Sequence, residues 1–243
     1  MDEPNRTPNP RDVKETYDRI ATHFASTREY AWPEVEAFVD ECARRLADST
    51  PRESDGRGPA GPVGLDLGCG NCRHAEVLVD RLEPSLVIGL DVSRGLLETG
   101  RERADDRGFG VSLVQGDAAR LPLAANAVDI AVYVATLHHL PTREARLESL
   151  GELARVLKPG GRALVSAWST AHDRFDADRD APEGFDTTIE WTLPGGEPVD
   201  RFYHIYSPAE FEADLTASGI ETLEREVSSG NCYATVTAGV DGA

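Results

Sequence analysis

The chain has 243 residues, with 25 lysines and arginines against 43 aspartates and glutamates, for a formal charge of −18. At roughly 150 residues per domain this is one large domain or one with an insert, long enough to bury a full core without disulfide or metal staples. No apolar run approaches the roughly 20 residues of a membrane span, and the opening MDEPNRTPNPRD lacks the apolar stretch of a secretory leader. The expectation is a soluble cytoplasmic protein.

Only two of the basic residues are lysines, Lys14 and Lys158. So much negative charge destabilises a compact chain by self-repulsion unless salt screens it, which suits a halophilic protein working in molar salt. An acidic total therefore does not exclude nucleic acid as a partner. Four cysteines in a chain this size do not make a secreted disulfide framework. Cys69 and Cys72 form a CxxC, but no second pair completes a zinc site, so no metal is expected.

Residues 11–47 carry helical periodicity in two pieces. Tyr17, Ile20, Ala21 and Phe24 mark one apolar face, and Val35, Phe38, Val39, Cys42 and Leu46 continue the spacing after Pro33. Residues 49–62 read as a loop rich in proline, glycine and charge. From Val63 short apolar strands alternate with helices: VGLDLG, helix 73–82, LVIGLDV, helix 95–107, GVSLVQG, VDIAVYVA, helix 143–157 and RALVSAW. That alternation predicts an α/β fold with a mostly parallel sheet and helices on both faces. KPGG at 158–161 reads as a turn. Beyond it lie an irregular stretch, a small hairpin across TTIEWTL-PGGE-PVDRFYHIY, a helix at 211–218 and two closing strands.

The glycine-rich turn after the first strand, Asp66-Leu-Gly68-Cys-Gly70-Asn71, lies where open α/β sheets bind ligands. Arg73 stands where a dinucleotide fingerprint wants glycine, and an acid at 66 suits a cofactor with a cationic end. Asp91 closes the second strand, placed for ribose hydroxyls. Asp117 with Ala118 closes the third, placed for an adenine amino group, and Asp129 opens the fourth, which ends near His138 and His139. Singly, each acid reads equally well as a helix cap.

Taken in order, these residues resemble the class I S-adenosylmethionine-dependent methyltransferases over roughly residues 63–168. The resemblance implies a Rossmann-like seven-stranded sheet and S-adenosylmethionine as cofactor. It implies Asp66, Gly68 and Gly70 at the methionine end, Asp91 at the ribose, and Asp117 with Ala118 at the adenine. The run Tyr17 to Arg28 followed by Trp32-Pro33 is similar to the N-terminal signature of the tRNA wobble-uridine carboxymethyl methyltransferases. So are the pair His138-His139, Ser166-Ala-Trp168, Arg201-Phe-Tyr203-His204 and Gly230-Asn231-Cys232-Tyr233, the last with Cys232 where the family usually has tryptophan.

A haloarchaeal-type member of that family is expected to esterify a carboxymethyl group on the wobble uridine in the tRNA anticodon loop. The family also implies a small zinc-binding activator subunit that pairs along an edge strand, here 109–114. The expected catalytic set is Arg28, His138, His139, Trp168, Arg201 and His204: cations to hold the substrate carboxylate, histidines beside it, and an indole for base stacking. The domain reading is a helical cap over 1–48, a loop over 49–62 and a cofactor-binding core over 63–243 with a substrate insert at about 171–204. The rival functions are a small-molecule methyltransferase and a non-catalytic cofactor-binding scaffold.

Overall fold

The structure, a computed structural model, describes residues 8–48, 61–82, 86–178 and 180–239. Most of the expected 49–62 loop lies outside the described residues.

The N-terminal helix α1 (Pro10–Ser26) is started by a capping box in which Asn9 and Asp12 satisfy each other's backbone N–H groups. It buries Tyr17, Ile20 and Ala21. Helix α2 (Pro33–Asp48) buries Val35, Phe38, Val39 and Cys42. Strands β1 (Val63–Leu67), β2 (Leu86–Asp91), β3 (Ser112–Gln115), β4 (Val128–Val134) and β5 (Leu157–Trp168) alternate with helices α3 (Arg73–Arg81), α4 (Arg94–Arg107) and α5 (Arg143–Val156). A hairpin, β6 (Phe185–Thr192) and β7 (Pro198–Ile205), precedes α6 (Pro208–Ala217) and the closing strands β8 (Ile220–Ser228) and β9 (Asn231–Ala238).

Seven strands form one sheet in the order β3-β2-β1-β4-β5-β9-β8, parallel from β3 to β5, with β9 antiparallel to β5 and β8. Strand parity divides the core. Ala131 and Tyr133 of β4 pack with Leu150 and Leu153 of α5 and Phe211 of α6. Ile130, Val132 and Val134 face α2, α3 and α4 through Phe38, Leu78 and Leu97. Helices thus cover both faces, as the alternation predicted.

One local expectation fails. KPGG does not stand between helix and strand: β5 begins at Leu157, and while β4 advances from Val128 to Ile130 the paired residues advance from Leu157 to Arg162. The four residues bulge out of a continuing strand, with Gly160 at φ +80°. Asp129, read as part of the acidic series, sits at the opposite end of the sheet from the strand C-termini. It accepts from the Val63 N–H at 2.9 Å and from Lys158 Nζ at 2.5 Å.

Candidate active site

At the C-terminal ends of β1, β2, β3 and β4, under α1, lies a cleft enclosing about 860 Å³ of empty space, its open mouth included. Gly68, Gly70, Asp91, Asp117 and Ala118 line it, together with His139 and, from α1, Val13, Tyr17 and Phe24. The glycine turn has a steric reason. Gly68 has φ +74°, and a Cβ there would stand 2.1 Å from Thr136 Oγ1, so only glycine lets β1 end this close to the β4 turn. Gly70, at φ +53°, has nothing within 4 Å of its missing Cβ. Asp91 accepts from the Gly70 N–H at 2.9 Å and the Ser93 N–H at 2.8 Å, and burial lifts its carboxyl to about 6. One Asp117 oxygen accepts from the Ala119 N–H at 2.9 Å. An apolar slot edged by Leu90, Leu96, Ala118 and Leu140, with a carboxylate at its middle and glycine backbone at one end, fits an adenosyl group carrying an amino-acid tail.

Asp66 stands apart from that lining. It is buried beneath the turn, its carboxylate accepts from the Ala75 N–H at 2.9 Å, and burial lifts it to about 7. It holds α3 against the glycine turn instead of facing the cleft.

Helix α1 is fastened over the cleft by Asp18, whose Oδ1 accepts from Ser93 Oγ at 2.7 Å and the Gly95 N–H at 3.0 Å. It thereby delivers Tyr17 to the β4 turn. The imidazole of His139 donates from Nδ1 to the Phe202 carbonyl at 3.0 Å, which leaves Nε2 to accept from the Tyr17 hydroxyl at 2.8 Å. Burial drops His139 to about 3, so it is neutral with both nitrogens occupied. His138 is also held well below the usual imidazole range by burial and by His139. Its Nδ1 accepts from the Trp168 N–H at 3.1 Å, and its ring stacks on Tyr203 with centroids 5.0 Å apart.

Two guanidinium groups meet beyond Phe24. Arg28 Cζ lies 3.9 Å from the Phe24 ring centroid and 5.1 Å from that of Trp191; Arg201 Cζ lies 5.9 Å and 4.9 Å from the same two. Arg201 is 5% exposed, donates from Nη1 to the Tyr203 hydroxyl at 2.6 Å, and leaves its Nε without a partner. Among the described residues neither arginine pairs with a carboxylate. Burial, then the charge of Arg201, hold Arg28 below the ordinary guanidinium range. Two cations together without an acid among the described residues, on an aromatic wall, have the chemistry to hold an anion attached to a flat ring.

Trp168 joins this wall from behind, its ring 5.0 Å from Tyr203 and 5.1 Å from His172. His204 does not join it. In β7 alternate residues share a face, so Arg201 and Tyr203 point one way and His204 the other. His204 is directly opposite Asp186 across the hairpin. Its Nδ1 meets Asp186 Oδ1 at 2.7 Å and its Nε2 meets Glu210 Oε1 at 3.0 Å, an arrangement that ties the hairpin to α6. The expected catalytic histidine is a structural clasp.

Trp191 and Asn71 escaped the sequence reading. The alternation within β6 was the available signal for Trp191, whose Nε1 donates to His23 Nδ1 at 3.2 Å. Asn71 donates to the Arg28 carbonyl at 2.8 Å and the Ala25 carbonyl at 3.3 Å, so the glycine turn also anchors the loop that carries Arg28.

Residues 65–165 match the methyltransferase domain family. A tRNA (carboxymethyluridine(34)-5-O)-methyltransferase of Schizosaccharomyces pombe is 28% identical over 91% of this chain and 93% of its own length. A putative methyltransferase of Encephalitozoon cuniculi is 31% identical over 96% of this chain and 98% of its own. The chain belongs to the S-adenosylmethionine-dependent methyltransferases, and its relatives include proteins named tRNA carboxymethyluridine methyltransferases. An Arabidopsis thaliana member is 34% identical over 75% of this chain, which spans only 39% of that larger protein. Among solved structures, the CcbJ methyltransferase of Streptomyces caelestis superposes with a TM-score of 0.66 at 20% identity, covering 94% of this chain and 99% of its own. That likeness concerns the fold alone. No helix among the described residues is long and apolar enough to cross a membrane.

Proposed function

We propose that this methyltransferase esterifies the carboxymethyl group of a wobble uridine in tRNA, in the cytoplasm. The observation that carries the reading is the pair Arg28 and Arg201, unpaired cations set against Phe24 and Trp191 beside the cofactor cleft. The glycine turn, Asp91 and Asp117 would hold S-adenosylmethionine, which when bound would supply an electrophilic methyl group. An ionised carboxylate is already nucleophilic near neutral pH, so the chain needs no general base and its contribution is alignment. Arg28 and Arg201 hold the carboxylate by charge-assisted hydrogen bonds, leaving one oxygen free to attack. Neutral His139 fixes the Tyr17 hydroxyl at the mouth, and His138 fixes Tyr203, which in turn orients Arg201. Trp168 backs this wall, supporting a base turned out of its stack.

A small zinc-binding activator subunit completes the proposal. β3 is the free edge of the parallel half of the sheet, and its Ser112–Gln115 backbone is available for strand addition. The small-molecule reading is not favoured by any feature of the site: a paired cationic receptor is not what a greasy acceptor needs.

The test is to incubate the chain, alone and co-expressed with a candidate zinc-binding partner, with methyl-labelled cofactor and tRNA in high salt. Label that enters tRNA and leaves as methanol in mild alkali supports the ester. Label stable to alkali overturns it, and no label in tRNA moves the acceptor to another class.

A further inference from the structure

The loop between α1 and α2 presents a feature that the transfer step does not use. Tyr30 is 80% exposed, the most exposed large hydrophobic side chain among the described residues. The backbone beneath it is fixed. The Arg28 carbonyl is held by Asn71, the Glu29 carbonyl accepts from Arg103 Nη2 at 2.8 Å, and the Glu29 carboxylate pairs with Arg107. The ring therefore stands in water on a rigid mount, so stacking on it orders little that is not already ordered. At the other end of the loop Trp32 lies under Arg73, whose Cζ is 5.5 Å from the indole centroid. The indole is itself braced edge-on by His74 and Tyr233, at 6.3 and 6.4 Å.

Arg73 makes no ion pair or hydrogen bond among the described residues. Asp66, whose charge acts on it, is buried and spent on the Ala75 N–H. Nearby arginines are neutralised: Arg103 and Arg107 both pair with Glu76, and Arg81 with Asp40. Unpaired guanidiniums at both ends of one short loop, with an exposed aromatic between them, match a nucleotide: a flat base flanked by phosphates.

We propose that Tyr30 and Arg73 bind the nucleotide adjoining the target uridine, Tyr30 stacking on its base and Arg73 contacting its phosphate. This rests on the RNA reading above and extends it from the modified base to its neighbour.

The experiment titrates the full chain against a fluorescein-labelled anticodon stem-loop RNA by anisotropy across a salt series, alongside methyl transfer to the same RNA. Tyr30→Ala is expected to bind about 5- to 100-fold more weakly with the salt slope unchanged, while Tyr30→Phe binds as the parent does. Arg73→Gln is expected to lower the slope of log K against log salt by about 0.7, the signature of one lost contact to single-stranded phosphate. Melting curves verify that each variant is folded; Tyr30, being exposed, is the variant that does not depend on packing. Binding of Tyr30→Ala equal to the parent, or an unchanged slope in Arg73→Gln, overturns this surface while a methylating parent leaves the proposed function standing. A parent that neither binds nor methylates the RNA, alone or co-expressed with the candidate zinc-binding partner, overturns both.

Discussion

Replacing Arg201 by methionine should make the protein more stable and less active. The distances of Arg28 and Arg201 from the Phe24 centroid, 3.9 and 5.9 Å, bound the separation of the two charges at about 10 Å. At an effective dielectric of about 20, like charges at that distance repel by about 1.7 kcal/mol. Methionine fills a similar volume without the buried, unsatisfied Nε. Against this stands the bond from Arg201 Nη1 to the Tyr203 hydroxyl, worth about 1 kcal/mol. The net gain is about 1 kcal/mol, or a rise in Tm of about 2–4 °C for a chain of this size. The same change removes one charge-assisted contact to the substrate carboxylate, about 1.5–3 kcal/mol, which lowers kcat/KM about 10- to 150-fold.

The assay pairs thermal melting at low salt with steady-state methyl transfer to tRNA. Raising salt should shrink the stability gain as the repulsion is screened. A variant that melts lower than the parent refutes the reasoning, since Arg201 would then be a buttress for Trp191 and Tyr203 and not a cation kept for an anion. Arg28→Met should move activity the same way with a smaller gain in stability, because Arg28 is only half-buried and partly solvated.

Other expectations follow from the same geometry. Asp66, lifted by burial to about 7 against an ordinary value near 3.8, keeps its proton in the folded chain where the unfolded chain has lost it. Its contribution therefore falls as pH rises from about 4 to about 7, and Asp66→Asn should gain on the parent across that window by up to about 4 kcal/mol, read from denaturant unfolding at stepped pH. Affinity for S-adenosylhomocysteine, measured calorimetrically, should weaken as pH drops below about 6, where Asp91 takes up its proton. Gly68→Ala drives a methyl group into Thr136 at a left-handed backbone position, and should lose cofactor binding together with at least about 1–3 kcal/mol of stability in chemical denaturation. His204→Gln removes one partner of Glu210, which keeps the Gly184 N–H at 2.7 Å and Arg146 at 3.6 Å, and should lower Tm by about 3–12 °C while turnover per folded molecule stays near that of the parent.

These expectations mark where the sequence was readable. The sheet and its cofactor side were legible because each acid after a strand occupies a fixed place in a fixed order. Asp91 and Asp117 line the cleft, and the closing hairpin followed from its two strand-like runs. Asp66 and Asp129 share the same composition and spacing logic but point elsewhere, one into α3 and one to the far end of the sheet. One-dimensional order does not say which way a side chain turns at a strand end.

The substrate side depended on contacts between distant segments. Arg28 and Arg201 are 173 positions apart in the chain, and they meet on one aromatic wall through the fastening of α1 by Asp18, of its loop by Asn71, and of α1 to the hairpin by His23 and Trp191. Yet parity alone excluded His204 from that wall. In a strand reading Arg201-Phe-Tyr203-His204, residues 201 and 203 share a face and 204 takes the other, so the arginine and the histidine could not both reach one carboxylate. The same parity places Ile189 and Trp191 with Arg201, and Asp186 with His204, once the PGGE turn sets the hairpin register. The register of the hairpin ladder is what turns Arg201 toward the cleft, while on the opposite face His204, held between Asp186 and Glu210, ties the hairpin to α6.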